Sequence, residues 1–277
     1  MKSKVVEFFG ENANSIKDIN EQLTSQVCPY TCKRCIKTRK SDPSIAIGTC
    51  TVLYQNSPII ICPFRLLDKR QVFLDCLHLL SVHEPGNELY VIPEVSIPGG
   101  NVDYFLTSVK NKKVVDFVGI EFQTLDTTGT VWWERQRLLK SYGVNIPEDL
   151  DQKKSFGMNW KMTAKTILVQ MHHKAGTFEK VNRHIVLIVQ KQFLDYIKKE
   201  FDFKHVGAAS LGDSVHFHAY DLNEDENAWK LALKERLSTD ESGVAKLLGL
   251  NATTKVEFSE LCAILETKLA DKYRLTL

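Results

Sequence analysis

Asp103, Glu121 and Gln123 stand on either side of a short polar stretch at residues 108–113, in segments rich in β-branched and aromatic residues. Such segments favour strands, and the polar stretch around Asn111 and Lys112 predicts a reversal between them. A hairpin symmetric about residue 112 sets Asp103 directly opposite Glu121. Directly opposed residues share a face, with Cβ atoms about 4.5–5.5 Å apart. Glu121 and Gln123 are two residues apart and share that face, while Phe122 points away. Two carboxylates and an amide then converge. Like charges directly opposed in a sheet destabilise it, and a divalent cation would offset that cost. Oxygen ligands suit Mg²⁺. An ion held there polarises a phosphodiester and lowers the pKa of a bound water. Gln123 can hydrogen-bond such a water but cannot act as its base. The plainer alternative is a surface hairpin with scattered acids.

Five of the seven cysteines, Cys28, Cys32, Cys35, Cys50 and Cys62, fall within 35 residues. Cys32-Lys33-Arg34-Cys35 is a C-x2-C knuckle, and Cys50 and Cys62 sit on or beside two expected strands. Four thiolates hold Zn²⁺ or iron tetrahedrally and leave no position open to substrate, so this cluster reads as a structural metal site. The alternative is a set of buried, unligated thiols. Cys76 and Cys262 fall at helical positions and read as core residues. His172-His173 and His216-Phe217-His218 lack an identifiable third ligand and read as structural or DNA-contacting. In Trp132-Trp133-Glu134-Arg135-Gln136-Arg137 the aromatics are expected inward. Arg135 and Arg137 are expected outward, reaching a guanine or lying on a helix surface.

The elements that must position these groups follow from periodicity. Helices are expected at 15–25, 70–80, 161–174, 191–200 and 256–271, where apolar residues recur at helical spacing. Strands are expected at 45–54, 58–62, 89–95, 101–108, 114–123, 184–190 and 215–222. Pro98-Gly99-Gly100 marks a break between two of them. Strands mixed with helices give an α/β class, a central mixed sheet flanked by helices. Residues 1–65 are expected to form a small Cys-rich module and 66–277 the core, and the length is ample for both.

Charge is informative through its distribution. The formal net charge is only +2, but Lys33, Arg34, Lys37, Arg39 and Lys40 form a run without an acid. That run suits phosphates, although many such runs are solvated surface. No secretory signal and no apolar run of membrane-spanning length is visible. A cytoplasmic protein is expected, and clustered thiols there favour metal over disulfides.

The order of Asp103, Glu121 and Gln123 resembles the PD-(D/E)xK nuclease motif, with Gln in the place of the usual Lys. The wider strings PEVSIPGGNVDYFL and DFVGIEFQTLDTTGT resemble the NotI-type restriction endonucleases; Asp126 belongs to that flank and by chemistry alone is a turn residue. The resemblance implies a PD-(D/E)xK core in which Asp103 and Glu121 hold catalytic Mg²⁺. It also implies an upstream glutamate, for which Glu94 is the choice and Glu84 and Glu88 the alternatives. The N-terminal cysteines look like the four-cysteine iron site of the same enzymes, with Cys28, Cys35, Cys50 and Cys62 preferred and Cys32 as substitute. The implied activity is Mg²⁺-dependent hydrolysis of double-stranded DNA at a palindromic, GC-rich site by a homodimer, as in restriction-modification systems. Two other classes compete: a non-catalytic, metal-stabilised DNA-binding protein, and a rubredoxin-like iron electron carrier.

Overall fold

The run HIVLIVQ at 184–190 lacks polar–apolar alternation, which is the pattern of a strand covered on both faces. The computed structural model describes residues 2–147, 150, 156–225 and 228–250. In it this run is the middle strand of a seven-stranded sheet, and all seven of its residues are buried.

The chain begins with β1 (Val5–Phe8) and β2 (Glu11–Asn12), followed by α1 (Ile19–Ser25). Asp18 caps α1 by accepting from the N–H groups of Asn20 and Glu21, which satisfies donors the helix cannot. Two short ribbons come next, β3 (Val27–Cys28) with β4 (Lys33–Arg34) and β5 (Thr38–Arg39) with β6 (Asp42–Ala46). Then β7 (Thr49–Tyr54) and β8 (Ser57–Ile60) complete a four-stranded sheet in the order β2-β1-β7-β8. This sheet shares cores with the rest of the chain. Val52, Ile59 and Ile61 join the largest apolar cluster, and Arg65, 1% exposed, binds the equally buried Glu7 of β1 at 2.9 Å.

Short helical turns, including α2 (Gln71–Leu74), lead to three antiparallel strands, β9 (Glu88–Ile97), β10 (Gly100–Lys110) and β11 (Lys113–Gln123). After β12 (Thr127–Thr128) come α3 (Trp132–Ser141), β13 (Gly157–Met158) and the long α4 (Trp160–Lys180). Next are β14 (His184–Gln190), α5 (Lys191–Glu200), β15 (Gly207–Ala208), β16 (Val215–Asp225), β17 (Ala228–Thr239) and α6 (Glu241–Leu247). The large sheet runs β15-β17-β16-β14-β11-β10-β9 and is mixed, because β11, β14 and β16 are parallel while their outer neighbours are antiparallel. Parallel neighbours need a crossover, and α4 and α5 provide the two. They cover one face with Leu168, Met171, Phe178 and Phe193. The turns around Leu66, Phe73 and Leu79 cover the other.

The expected helix at 70–80 is broken in the structure. Only Gln71–Leu74 is α-helical, and Leu77–Leu79 forms a separate 3₁₀ turn. The 12-residue β17 is absent from the sequence-based expectations, because its row of Lys and Glu hides the alternation. The expected helix at 256–271, with Cys262, lies outside the described residues. Among the described residues no helix is long and apolar enough to cross a membrane.

Candidate active site and cysteine cluster

The hairpin that carries the carboxylates is set by its turn and corrected by a bulge. Asn111 and Lys112 both have positive φ, +51° and +62°, as a two-residue type I′ turn requires. That turn pairs Lys110 with Lys113. Continued unchanged, this register would pair Asp103 with Ile120 and turn Glu121 to the opposite face. An irregularity between the Ser108 and Val109 rungs shifts the pairing by one residue, so that Tyr104 pairs with Ile120. One step further the same register sets Asp103 beside Glu121. The Phe122 N–H donates to Asp103 Oδ2 at 2.8 Å.

The third carboxylate arrives from β9. Val102 pairs with Val95 and Tyr104 with Pro93, which leaves Glu94 opposite Asp103. Glu94 has φ +52° within the strand, and its charge acts on Asp103. A non-glycine residue in this region is strained, and such residues gather at functional sites. Glu84 and Glu88 lie elsewhere. Glu84 bonds Lys110 beside the hairpin turn at 2.7 Å, and Glu88 pairs with Val109 near the same end.

A lysine that sequence reasoning missed completes the group. Lys174 Nζ donates to Glu121 Oε1 at 2.6 Å, and each side chain is 4% exposed. Glycines bring α4 close enough for this. A Cβ on Gly99, whose φ is +100°, would sit 2.2 Å from the His173 carbonyl oxygen. A Cβ on Gly119 would sit 2.3 Å from the Phe178 ring, which stacks on Phe105. Only a chain without side chains at both points lets α4 approach the hairpin. The sequence signal was Pro98-Gly99-Gly100 together with a lysine on the apolar face of the helix.

Burial dominates the electrostatics. It pushes the Glu121 carboxyl up to about 7; the hydrogen bond from Lys174 works against it and Asp103 adds to it. Burial also raises Asp103, opposed by the Phe122 N–H and Lys174 and reinforced by Glu94. Gln123, half-buried, donates its amide to the Thr124 carbonyl at 2.6 Å.

Cys28, Cys35, Cys50 and Cys62 line one cavity of about 10 Å³, roughly the space of a single water-sized sphere. Its other walls include Phe9, Pro29, Ile36 and Phe64. Burial raises the thiols of Cys50 and Cys62, and neighbouring cysteines act on both. Cys32 is exposed in a left-handed turn and does not line the cavity. Four soft donors lining one cavity suit Zn²⁺ or iron by their chemistry. Among the described residues, however, no three or more His, Cys, Asp or Glu side chains are already drawn into metal-coordinating geometry. The thiols and the carboxylates are neighbours and do not form closed ligand sets.

Of the other candidates, the arginines of the 132–137 segment, and part of the basic run, are placed differently from expectation. Arg135 and Arg137 are buried, Arg135 donating to the Ile47 carbonyl and Arg137 to Glu134, so neither faces outward for a base. In the basic run, Lys33, Arg34 and Lys40 are exposed. Arg34 donates to the Pro43 and Ser44 carbonyls, the Lys37 ammonium to the Ile61 carbonyl, and Arg39 lies 4.1 Å over the Trp132 ring. His216 and His218 are buried structural residues; His216 bonds the Asp213 carbonyl at 2.9 Å, and His218 lies 3.7 Å from the Cys76 sulfur. Asp126 is an exposed residue of the loop between β11 and β12, and its carbonyl accepts from the Asn159 N–H.

No protein-family model and no curated protein matches the chain.

Proposed function

We propose that this protein is a Mg²⁺-dependent endonuclease of double-stranded DNA with a PD-(D/E)xK core. The observation that carries the reading is the convergence of Glu94, Asp103 and Glu121 from three adjacent strands onto one region of the sheet. The surrounding order supports it: an antiparallel trio β9-β10-β11, the crossover helix α4, and β14 parallel to β11. The donor set fits the ion. Asp103 and Glu121 offer hard oxygens in a partly desolvated site, and Glu94 is exposed beside them. Asp103 and Glu121 would hold the Mg²⁺, whose chemistry is to polarise the phosphodiester and acidify a bound water.

The chain's own residues do the rest. The Phe122 N–H fixes the Asp103 carboxylate, and the hairpin register fixes its distance from Glu121. Gln123 offers an amide that can orient a water but not deprotonate it. The cysteine cavity would hold a structural metal, and the adjoining Lys33 and Lys40 supply phosphate-binding charge. A palindromic, GC-rich site, a homodimer to match its twofold symmetry, and a cytoplasmic location belong to the same proposal.

The test is incubation of the protein with plasmid and genomic DNA, with and without Mg²⁺, followed by sequencing of the ends. Discrete Mg²⁺-dependent ends at one sequence are expected, and Asp103→Asn should abolish them. DNA bound but never cut would favour the non-catalytic DNA-binding reading. A reversible one-electron couple at the cysteine site without DNA affinity would favour the electron carrier.

A further inference from the structure

We infer that Lys174 is a resident counter-ion of the carboxylate pair: it holds Glu121 until a divalent cation displaces it, and then supplies from α4 the ammonium that Gln123 lacks. The inference rests on the endonuclease reading and adds a residue and an exchange step to it.

Four observations converge on this role. The ammonium lies 2.6 Å from Glu121 Oε1 in a site where both side chains are 4% exposed. A charge so buried requires a partner, and Glu121 is its hydrogen-bonded one, with Asp103 also within electrostatic reach. A divalent cation needs the same carboxylate oxygens, so ammonium and cation compete for Glu121. Gln123, on the same strand face as Glu121, is neutral and its amide is engaged with the Thr124 carbonyl, so it brings no charge to the site. Finally, α4 is anchored on both sides of the point of delivery. Gly99 closes on His173, Thr177 donates to the Pro98 carbonyl at 2.7 Å, and Phe178 covers Gly119.

The exchange has a simple physical course. Without a cation, Lys174 offsets the repulsion between Glu121 and Asp103 that the hairpin register imposes. A cation held by Asp103 and Glu121 would neutralise Glu121, and Lys174 would then be free to leave it. Its four-carbon stem is flexible, so the head can turn towards negative charge while the helix stays in place. The charge that develops during phosphodiester hydrolysis lies on the phosphoryl oxygens, and a preplaced cation in a desolvated site stabilises it strongly. Lys174 thus acts twice: as a placeholder before the metal arrives, and as an electrostatic catalyst after it.

The experiment combines three measurements. Calorimetric titration with Ca²⁺, without DNA, compares the parent with Lys174→Met, which keeps the length of the stem and removes the charge. The variant should bind Ca²⁺ about tenfold more tightly, because no ammonium competes. Acetylation of Lys174 in the parent, followed by mass spectrometry, should speed up at saturating Ca²⁺. Cleavage at saturating Mg²⁺ should fall about a hundredfold or more in Lys174→Met and recover in part in Lys174→Met/Gln123→Lys. Unchanged Ca²⁺ affinity, unchanged acetylation at saturating Ca²⁺, or parental cleavage by Lys174→Met overturns the inference. If Lys174→Met does not fold, the acetylation measurement on the parent decides. If the parent cuts no DNA in Mg²⁺, the endonuclease reading fails, and the Ca²⁺ and acetylation measurements still judge the exchange by themselves.

Discussion

Glu121 has a second neighbour besides the one its strand suggests, and this changes what its removal should do. Two opposed carboxylates alone predict that trimming one relieves repulsion and leaves the fold intact. The structure places Lys174 on Glu121 at 2.6 Å. Glu121→Ala therefore strands a buried ammonium, and breaking one side of a buried pair costs about 3–5 kcal/mol. Glu121→Gln keeps an oxygen for Lys174 and should lose less. Denaturant unfolding in metal-free buffer distinguishes the two, and equal stability of Glu121→Ala and the parent would count against the buried pair. Both variants should lose cleavage. The cysteines give a second prediction. Cys62→Ser should lower the metal content and melting temperature of purified protein, because a structural site of four thiolates contributes directly to folding. Cys32→Ser should leave both unchanged, since Cys32 lies outside the cavity. Elemental analysis and thermal melts check this; folded parent protein carrying no metal would refute it.

Elements position the site by close approach, so an element can be disturbed without touching a ligand. Gly99→Ala would force a Cβ against the His173 carbonyl at φ +100°. A cost of about 1–3 kcal/mol is expected from the backbone strain alone. As α4 is pushed away from the hairpin, cleavage should drop although every carboxylate remains. The strand β16 carries a separate sensitivity. Burial lowers His216 to about 4, with His184 adding to the effect, and His218 to about 3, with Arg236 adding. His78 and Cys76 lie against the same pair. The unfolded chain takes up these protons near pH 6.5 while the folded chain does not. Stability is thus fully present above about pH 6.5 and is lost as pH falls towards about 4. Each histidine should cost about 1.4 kcal/mol between pH 7.5 and 5.5. Melts at those two pH values check the loss, and His218→Gln should flatten it.

The whole molecule decides which charges are free to meet the phosphates of the proposed substrate. Lys33, Arg34 and Lys40 of the basic run are exposed, but Arg34 donates to the Pro43 and Ser44 carbonyls, while Lys37 and Arg39 are half-buried and engaged with the Ile61 carbonyl and with Trp132. Lys33→Ala with Lys40→Ala should weaken DNA binding equally at all sequences and reduce its salt slope by up to about two. An unchanged slope would move the DNA face elsewhere. The N-terminal sheet is tied to the large one through the buried Glu7–Arg65 pair and through the Arg65 donation to the Trp229 carbonyl at 2.7 Å. A change in the cysteine module should therefore reach the core.

By itself the sequence determined the elements whose pattern is local. The strand at 184–190 and the helix at 191–200 coincide with β14 and α5, because a continuous apolar run and an amphipathic stripe are encoded within a few turns of chain. The facing of Asp103 and Glu121 was also legible, although the assumed symmetry about residue 112 arises from a type I′ turn centred half a residue earlier plus a compensating bulge. Tertiary structure alone decided the rest. Lys174 lies 53 positions from Glu121, and no spacing rule links a helix residue to a strand residue at that separation. Their meeting depends on two glycines that permit a close approach. Likewise, Arg135 and Arg137 are as charged in sequence as Lys33. Only the packing of α3 against the N-terminal residues shows that they are buried, since burial depends on what covers a face from elsewhere in the chain.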